Sequence, residues 1–190
     1  MPTLSILALR LGNFSVACYA HLIPPGLRVE TLYYSRFDSP VGPLVIAVSD
    51  RGLVSLEFDH EQLTRKRVPK FSWEESEEKT RPYVQQLDEY FAGRRREFDF
   101  PLDLRGTEFQ KRCWRELLKV PYGKTASYAA IARAVGSPRA FRAVGMANHS
   151  NPIAIVVPCH RVIGADGSLT GYGGGLEVKR KLLQMEGVLR

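Results

Sequence analysis

The chain has 190 residues, 44% apolar and 25% charged, with a formal net charge of +7, the composition of a soluble globular protein with length for one domain or two small ones. Three cysteines, Cys18, Cys113 and Cys159, are too few and odd in number for a disulfide scaffold. They favour a reducing compartment, read here as the cytoplasm. No CxxC pair occurs, and the four histidines (His21, His60, His149, His160) are scattered. The lone Cys18/His21 C-x-x-H is discounted, so neither a metal site nor a cofactor is expected.

Residues 1–30 contain a mildly apolar run from Leu4 to Cys18, broken by Arg10, Gly12 and Asn13. It is too short and interrupted for a membrane span, and it lacks the basic start of a signal peptide. The segment reads as a loosely ordered extension, or as the product of an early start codon, ending at Pro24-Pro25-Gly26. No membrane association is expected.

Short strands are expected at Thr31–Phe37, Leu44–Val48 and Leu53–Phe58, with turns at 39–43 and 50–52. The third alternates cleanly: Val54, Leu56 and Phe58 on one face, Ser55 and Glu57 on the other. Residues 59–76 are polar and read as a loop. A helix is expected over Thr80–Gly93, with Thr80 as cap, Pro82 in the first turn, and Tyr83, Leu87, Tyr90 and Phe91 as its apolar stripe. Phe98, Phe100, Leu102 and Leu104 alternate, giving a strand or an extended connector. A boundary near 104–107 divides a first domain, 31–104, from a second, 105–190.

The second half reads as helical. Thr107 and Gln110 form a capping-box pattern. The helix they open carries Phe109, Cys113, Trp114, Leu117 and Leu118. Ser127 caps the next, with Ile131, Ala132 and Val135 inside and Gly136 at its end. Ser137-Pro138 reads as the direct start of another, so that SPRAFRAVG opens the second arm of a helix-turn-helix. Between Arg105 and Arg142 stand nine basic residues and two acids, Glu108 and Glu116, which accounts for the whole net charge. An excess confined to one segment suggests a surface that meets a polyanion; the alternative is a solvated basic helix face.

Residues Asn151 to Gly164 read NPIAIVVPCHRVIG. The β-branched run Ile153–Val157 is expected to be extended and buried. Pro158 fixes the backbone just before Cys159. His160 and Arg161 flank the thiol, and basic neighbours favour the reactive thiolate. The alternative is a buried small hydrophobe, but apolar packing does not call for a histidine and an arginine. The Gly-rich loop ADGSLTGYGGG (165–175) lacks the Lys-Ser/Thr ending of a phosphate loop. A last helix, Leu176–Glu186, carries Val178, Leu182, Leu183 and Met185 on its apolar side. Glu186 opposes the helix dipole there, which suggests another task; the alternative is a solvated Glu.

The string SYAAIARAVGSPRAFRAVGMANHSNPIAIVVPCHRVIGADGSLTGYGGGLEVKRKLLQMEG resembles the signature of the O6-alkylguanine-DNA alkyltransferases, the methylated-DNA–protein-cysteine methyltransferases. The resemblance runs from about Tyr33 to Gly187 and is densest from Thr107 onward. It implies an α+β chain: a small ribonuclease-H-like α/β domain beside a helical, winged-helix-type DNA-binding domain. It implies single-turnover transfer of an alkyl group from guanine O6, and less well from thymine O4, to Cys159. His160 would act on Cys159 through a water, held by Glu186. Tyr128 would donate to the departing guanine. Asn151 would brace the cysteine turn. Arg142 would fill the gap left by the flipped nucleotide. Ala140, Ala143 and Gly145 would allow close approach to the minor groove, with Ser127 also at the DNA. Val162, Tyr172 and Gly173 would line the base pocket, with Lys179 nearby. The implied partner is double-stranded DNA bearing O6-alkylguanine, met by a monomer.

The 1–30 extension has no counterpart in the core pattern, and multi-cysteine zinc modules are absent. Cys113 is read as core. Two other readings compete. A lesion-flagging alkyltransferase-like protein would lack the cysteine, usually with Trp in its place. An unrelated Cys-His hydrolase would need an oxyanion or substrate motif, and none is visible.

Overall fold

The computed structural model describes residues 30–59 and 71–190. The expectation for the extension therefore lies outside the described residues, Glu30 apart, as does most of the loop expected at 59–76. Three strands form where the apolar pattern places them: β1 (Thr31–Phe37), β2 (Leu44–Ser49) and β3 (Gly52–Phe58). They pair antiparallel in sequence. A fourth, β4 (Ser72–Glu75), lies within the span expected to be loop and pairs parallel to β1, giving the order β3-β2-β1-β4. Its residues, SWEE, carry no apolar alternation. The free edge of β1 makes it a strand, a tertiary cause that no local pattern records.

Helix α1 (Glu77–Phe91) packs across β1 and β2. It begins earlier than expected. Ser76 is the cap, accepting from the Lys79 amide, and Glu77 and Glu78 favour the positive end of the helix dipole. Thr80 is buried inside the helix, its hydroxyl 2.6 Å from that of Ser35 on β1.

The outer edge of β3 is covered twice, which removes an exposed strand edge. Leu53 exchanges backbone bonds with Pro101 (2.9 Å) and Asp103 (2.8 Å), so the alternating segment is an extended connector. Gly52, at φ +137, is required there, because a Cβ would collide with the Pro101 carbonyl. Leu56 likewise donates to Pro152 and accepts from Ala154, both at 2.9 Å. The stretch leading to Cys159 is thus sewn to the sheet.

In the second half, Thr107 and Gln110 close the capping box at the start of α2 (Glu108–Leu118). β5 (Ala126–Ser127) leads into α3 (Tyr128–Ala134), capped by Ser127. β5 pairs parallel to β6 (Val162–Ile163), so this half is not purely helical. Helix α4 (Phe141–His149) starts later than expected. Ser137-Pro138 instead forms a turn closed by a 2.8 Å bond from the Ala140 amide to the Ser137 carbonyl. Proline suits the second position of such a turn, and it pushes the preceding serine away from helical geometry. Helices α2, α3 and α4 pack on one another, and Trp114 Nε1 on α2 donates to the Ala147 carbonyl on α4 (2.8 Å). α5 (Leu176–Met185) closes the chain, with Glu186 just past its last turn.

One core runs through both halves. It joins Ile46 and Leu56 of the sheet to Trp114, Val144 and Leu182 of the helices by way of Ile153, Ile155 and Val157. Those three are fully buried, as expected, but they are not extended. Ile155 has φ +70, and the Val156 amide bonds the Ala154 carbonyl across it at 2.8 Å. This is the rare, strained γ-turn, which a β-branched residue adopts at a cost of about 1–3 kcal/mol. A second γ-turn of the ordinary hand follows at Pro158 (φ −81, ψ 62), with the Cys159 amide bonded to the Val157 carbonyl at 2.8 Å. Burial on every side removes the alternation that would distinguish strand from compact turn, so the sequence could not separate them.

Candidate active site

The two γ-turns deliver Cys159 to the first position of a 3-10 turn, Cys159–Arg161. Asn151 holds this arrangement from inside. Its carbonyl oxygen accepts from the Ile153 amide (3.1 Å), and its Nδ2 donates to the Val157 carbonyl (2.8 Å) and to Cys159 Sγ (3.2 Å). Cys159 is 7% exposed. Burial pushes its thiol up from the ordinary value, opposed by the Asn151 bond and by the charge of Lys179.

His160 is fully buried. Burial holds the imidazole below its ordinary value, so neutral thiol and neutral imidazole are the resting forms. Its Nε2 lies 2.9 Å from Glu186 Oε1, while Nδ1 has no hydrogen-bond partner. Arg161 does not serve the thiol either. Its Nε and Nη2 form a fork on Glu186, both at 2.9 Å, and Nη1 donates to the Val120 carbonyl (2.7 Å).

Glu186 is the hub, not a solvated end residue. It accepts from His160, from Arg161 twice, and from Tyr90 Oη at 2.8 Å. Burial alone would raise its pKa. The His160 and Arg161 bonds and charges overcome this and hold it down to about 2. A carboxylate fixed in this way accepts, so His160 carries its proton on Nε2 and presents a bare Nδ1. Tyr90, on α1, is kept a neutral phenol first by burial and then by Glu186. Sequence reasoning placed it only in an apolar stripe, since no spacing rule links residues 96 apart.

In front of Cys159 lies a cavity of about 510 Å³. Its lining includes Tyr128 from α3, Gly145, Asn148 and His149 from α4, and 170–173 of the Gly-rich loop. The phenols of Tyr128 and Tyr172 and the loop residue Gly173 are thus brought together with Cys159. Tyr128 Oη accepts from Thr170 Oγ1 (2.9 Å), and the Tyr172 ring meets His160 edge-on at 6.3 Å. The sequence missed Asn148, His149 and Thr170; as single polar residues in a helix and a Gly-rich loop they carry no motif. Val162 and Lys179 lie behind the lining. Lys179 is fully buried, and its Nζ donates to the carbonyls of Val162 (2.6 Å) and Thr170 (2.9 Å), pinning β6 to the loop. Burial lowers its pKa to about 8.

Arg142 and Ala143 are exposed on the first turn of α4, while Ala140, its N-cap, is half-buried, as is Gly145 beside the ring of Tyr128. Ser127 is committed to capping α3. The basic segment does not form one surface. Arg105 binds Glu30 and Asp103 of the first half, while Lys111 and Lys119 pair with Glu108 and Glu116. Arg133, Arg139 and Arg142 have no carboxylate partner among the described residues. Those residues also hold no cluster of three or more potential metal ligands, and no helix long and apolar enough to cross a membrane.

Comparison with known proteins gives the family. Residues 32–104 match the family model described as "6-O-methylguanine DNA methyltransferase, ribonuclease-like domain". Residues 108–188 match that described as "6-O-methylguanine DNA methyltransferase, DNA binding domain". A methylated-DNA–protein-cysteine methyltransferase of Methanosarcina acetivorans is 50% identical over 82% of this chain and 99% of its own. One from Mycobacterium leprae is 52% identical over 82% of this chain and 92% of its own. A crystal structure of Mycobacterium tuberculosis OGT in complex with DNA shares 52% identity, covers 81% of this chain and 92% of its own, and superposes with a TM-score of 0.73. A buried Cys-His-Glu system behind a cavity, a ribonuclease-like half and a DNA-binding half therefore have one common explanation: the chain belongs to the 6-O-methylguanine DNA methyltransferase family.

Proposed function

We propose that this protein repairs duplex DNA by taking the methyl group of O6-methylguanine, and less readily that of O4-methylthymine, onto Cys159. The observation that carries the reading is the position of Cys159 Sγ. It sits at the wall of a base-sized cavity, beside a histidine whose Nε2 is fixed by Glu186 and whose Nδ1 is unengaged. In the reaction the thiol proton passes through a water to His160 Nδ1. Sulfur forms a bond to the methyl carbon as the carbon–oxygen bond to guanine O6 breaks. Negative charge moves into the purine, where Tyr128 Oη donates a hydrogen bond or proton. The proton lost by sulfur ends on the purine, leaving a neutral thioether and guanine.

Neutral resting forms suit this order of events. Burial disfavours a standing thiolate, so ionisation is coupled to attack. Lys179 and the Asn151 amide then favour the charge on sulfur as it develops. Asn151 acts as a brace between the cysteine turn and the end of α4. Arg142 enters the base stack in place of the flipped nucleotide, and Ala140, Ala143 and Gly145 let α4 come close to the minor groove. Ser127 reaches DNA only through the helix it caps. The protein acts as a monomer, and no residue near Cys159 can cleave the thioether, so each molecule reacts once.

The test is transfer of labelled methyl from duplex O6-methylguanine with substrate in excess. We expect one methyl per protein, found on the peptide carrying Cys159. Cys159→Ala abolishes transfer and retains binding to undamaged duplex, whose affinity comes from phosphate contacts. Repeated turnover, or label on Cys113, would refute the reading.

A further inference from the structure

Helix α4 leaves two large apolar side chains in water: Phe141, 47% exposed at its first position, and Met146, 64% exposed. Exposed apolar groups clustered on one short helix mark a contact surface. At about 100° per residue, Gly145, His149 and Arg142 lie between them on the outer face, while Val144 and Ala147 are buried opposite. Gly145 and His149 also line the cavity in front of Cys159, so Phe141 lies one helical turn before the cavity lining. The Arg142 guanidinium lies over its ring, 6.0 Å from the centroid. Arg133, Arg139 and Arg142 give the surroundings one sign of charge, which fits a polyanion and not an apolar protein face.

We propose that Phe141 is a second wedge, acting beside Arg142 at the base step next to the extruded nucleotide. The proposal rests on the reading of α4 as the DNA-facing helix and goes beyond it. Ala140, Ala143 and Gly145 let the helix backbone approach a groove floor, but a phenyl ring projecting from the same turn cannot lie flat there. It fits only by entering a base step, as apolar side chains do when they kink DNA from the minor groove. Extrusion of a nucleotide opens such a step. The guanidinium then occupies the vacated stack while the ring covers the exposed face of the flanking base. Phe141 therefore lowers the cost of extrusion and has no part in methyl transfer itself.

The test compares single-turnover transfer from duplex O6-methylguanine with reaction of free O6-benzylguanine, in Phe141→Ala, Phe141→Trp and Arg142→Ala. A 2-aminopurine beside the lesion reports unstacking. Phe141→Ala should slow the duplex reaction roughly tenfold, the order of one lost base–aromatic stack. It should also reduce the 2-aminopurine signal and leave the free-base rate and the melting temperature unchanged. Phe141→Trp should retain the duplex rate. Phe141→Ala should keep the salt slope of DNA binding, because no charge is lost, whereas Arg142→Ala should flatten it. An unchanged duplex rate in Phe141→Ala, or an equal loss on the free base, overturns the proposal. Equal loss on both substrates in Arg142→Ala overturns instead the reading of α4 on which it rests.

Discussion

Tyr90→Phe is the sharpest probe of the catalytic hub, because it removes one oxygen and nothing else. That oxygen donates to Glu186 at 2.8 Å, and Tyr90 is 1% exposed. A buried hydrogen bond to a charged group contributes about 1.5–3 kcal/mol. Four other donor bonds remain on Glu186, from His160, twice from Arg161 and a longer one from the Gly123 amide (3.4 Å), so the carboxylate keeps its charge and the fold survives. We expect a loss of about 2 kcal/mol in urea unfolding at pH 7, which in a chain of this size lowers Tm by roughly 4–8 °C. The Tyr90 ring still packs against Phe91, Phe98 and Tyr122, so no cavity adds to the effect. The loss should shrink when Glu186 is already changed to Gln, giving a coupling energy of at least about 1 kcal/mol in a double-mutant cycle. Stability within about 0.5 kcal/mol of the unmodified protein, or additive single and double variants, would refute a hub that joins α1 to the active site.

Three further outcomes follow from the same geometry. The His160 and Arg161 contacts hold Glu186 down to about 2 in the fold, below the ordinary carboxyl value of 4.5, so its contribution, at most about 3 kcal/mol, is present above pH 4.5 and is lost as pH falls toward 2. His160, held neutral by burial, adds a loss of the same sign below its ordinary value, so acid unfolding that is flat from pH 6 to pH 2 would contradict both. Arg142→Ala should slow repair of duplex DNA far more than reaction with free O6-benzylguanine, since extrusion costs a few kcal/mol only in the duplex. Methylation of Cys159 weakens the Asn151 bond and adds a methyl beside a packed turn, so the spent protein should be less stable by about 1–3 kcal/mol with its fold unchanged; a melting temperature that holds or rises after reaction would remove the strain argument.

Local chemistry by itself determined most of the elements and the identity of the reactive group. The alternation in Leu53–Phe58, the Thr107/Gln110 box and the Ser127 cap each act within a few residues, and each formed as the residue types require. Cys159 was legible because apolar packing does not call for the histidine and arginine beside it, and Glu186 because it opposes the helix dipole. The tertiary structure alone decided what these groups do to one another. Adjacency assigns Arg161 to the thiol, yet its guanidinium turns to Glu186, and the charge near sulfur comes from Lys179 on another helix. Tyr90 joins the site across the two halves of the chain, and β4 exists because β1 offers an edge. The run Ile153–Val157 turns at Ile155 and leads into a second γ-turn at Pro158, and is not a strand, since burial on all sides erases periodicity while bonds to the Leu56 backbone and the Asn151 side chain fix the path. Sequence patterns report forces between near neighbours; charge balance and backbone path in a buried site are set by groups that only folding brings within reach.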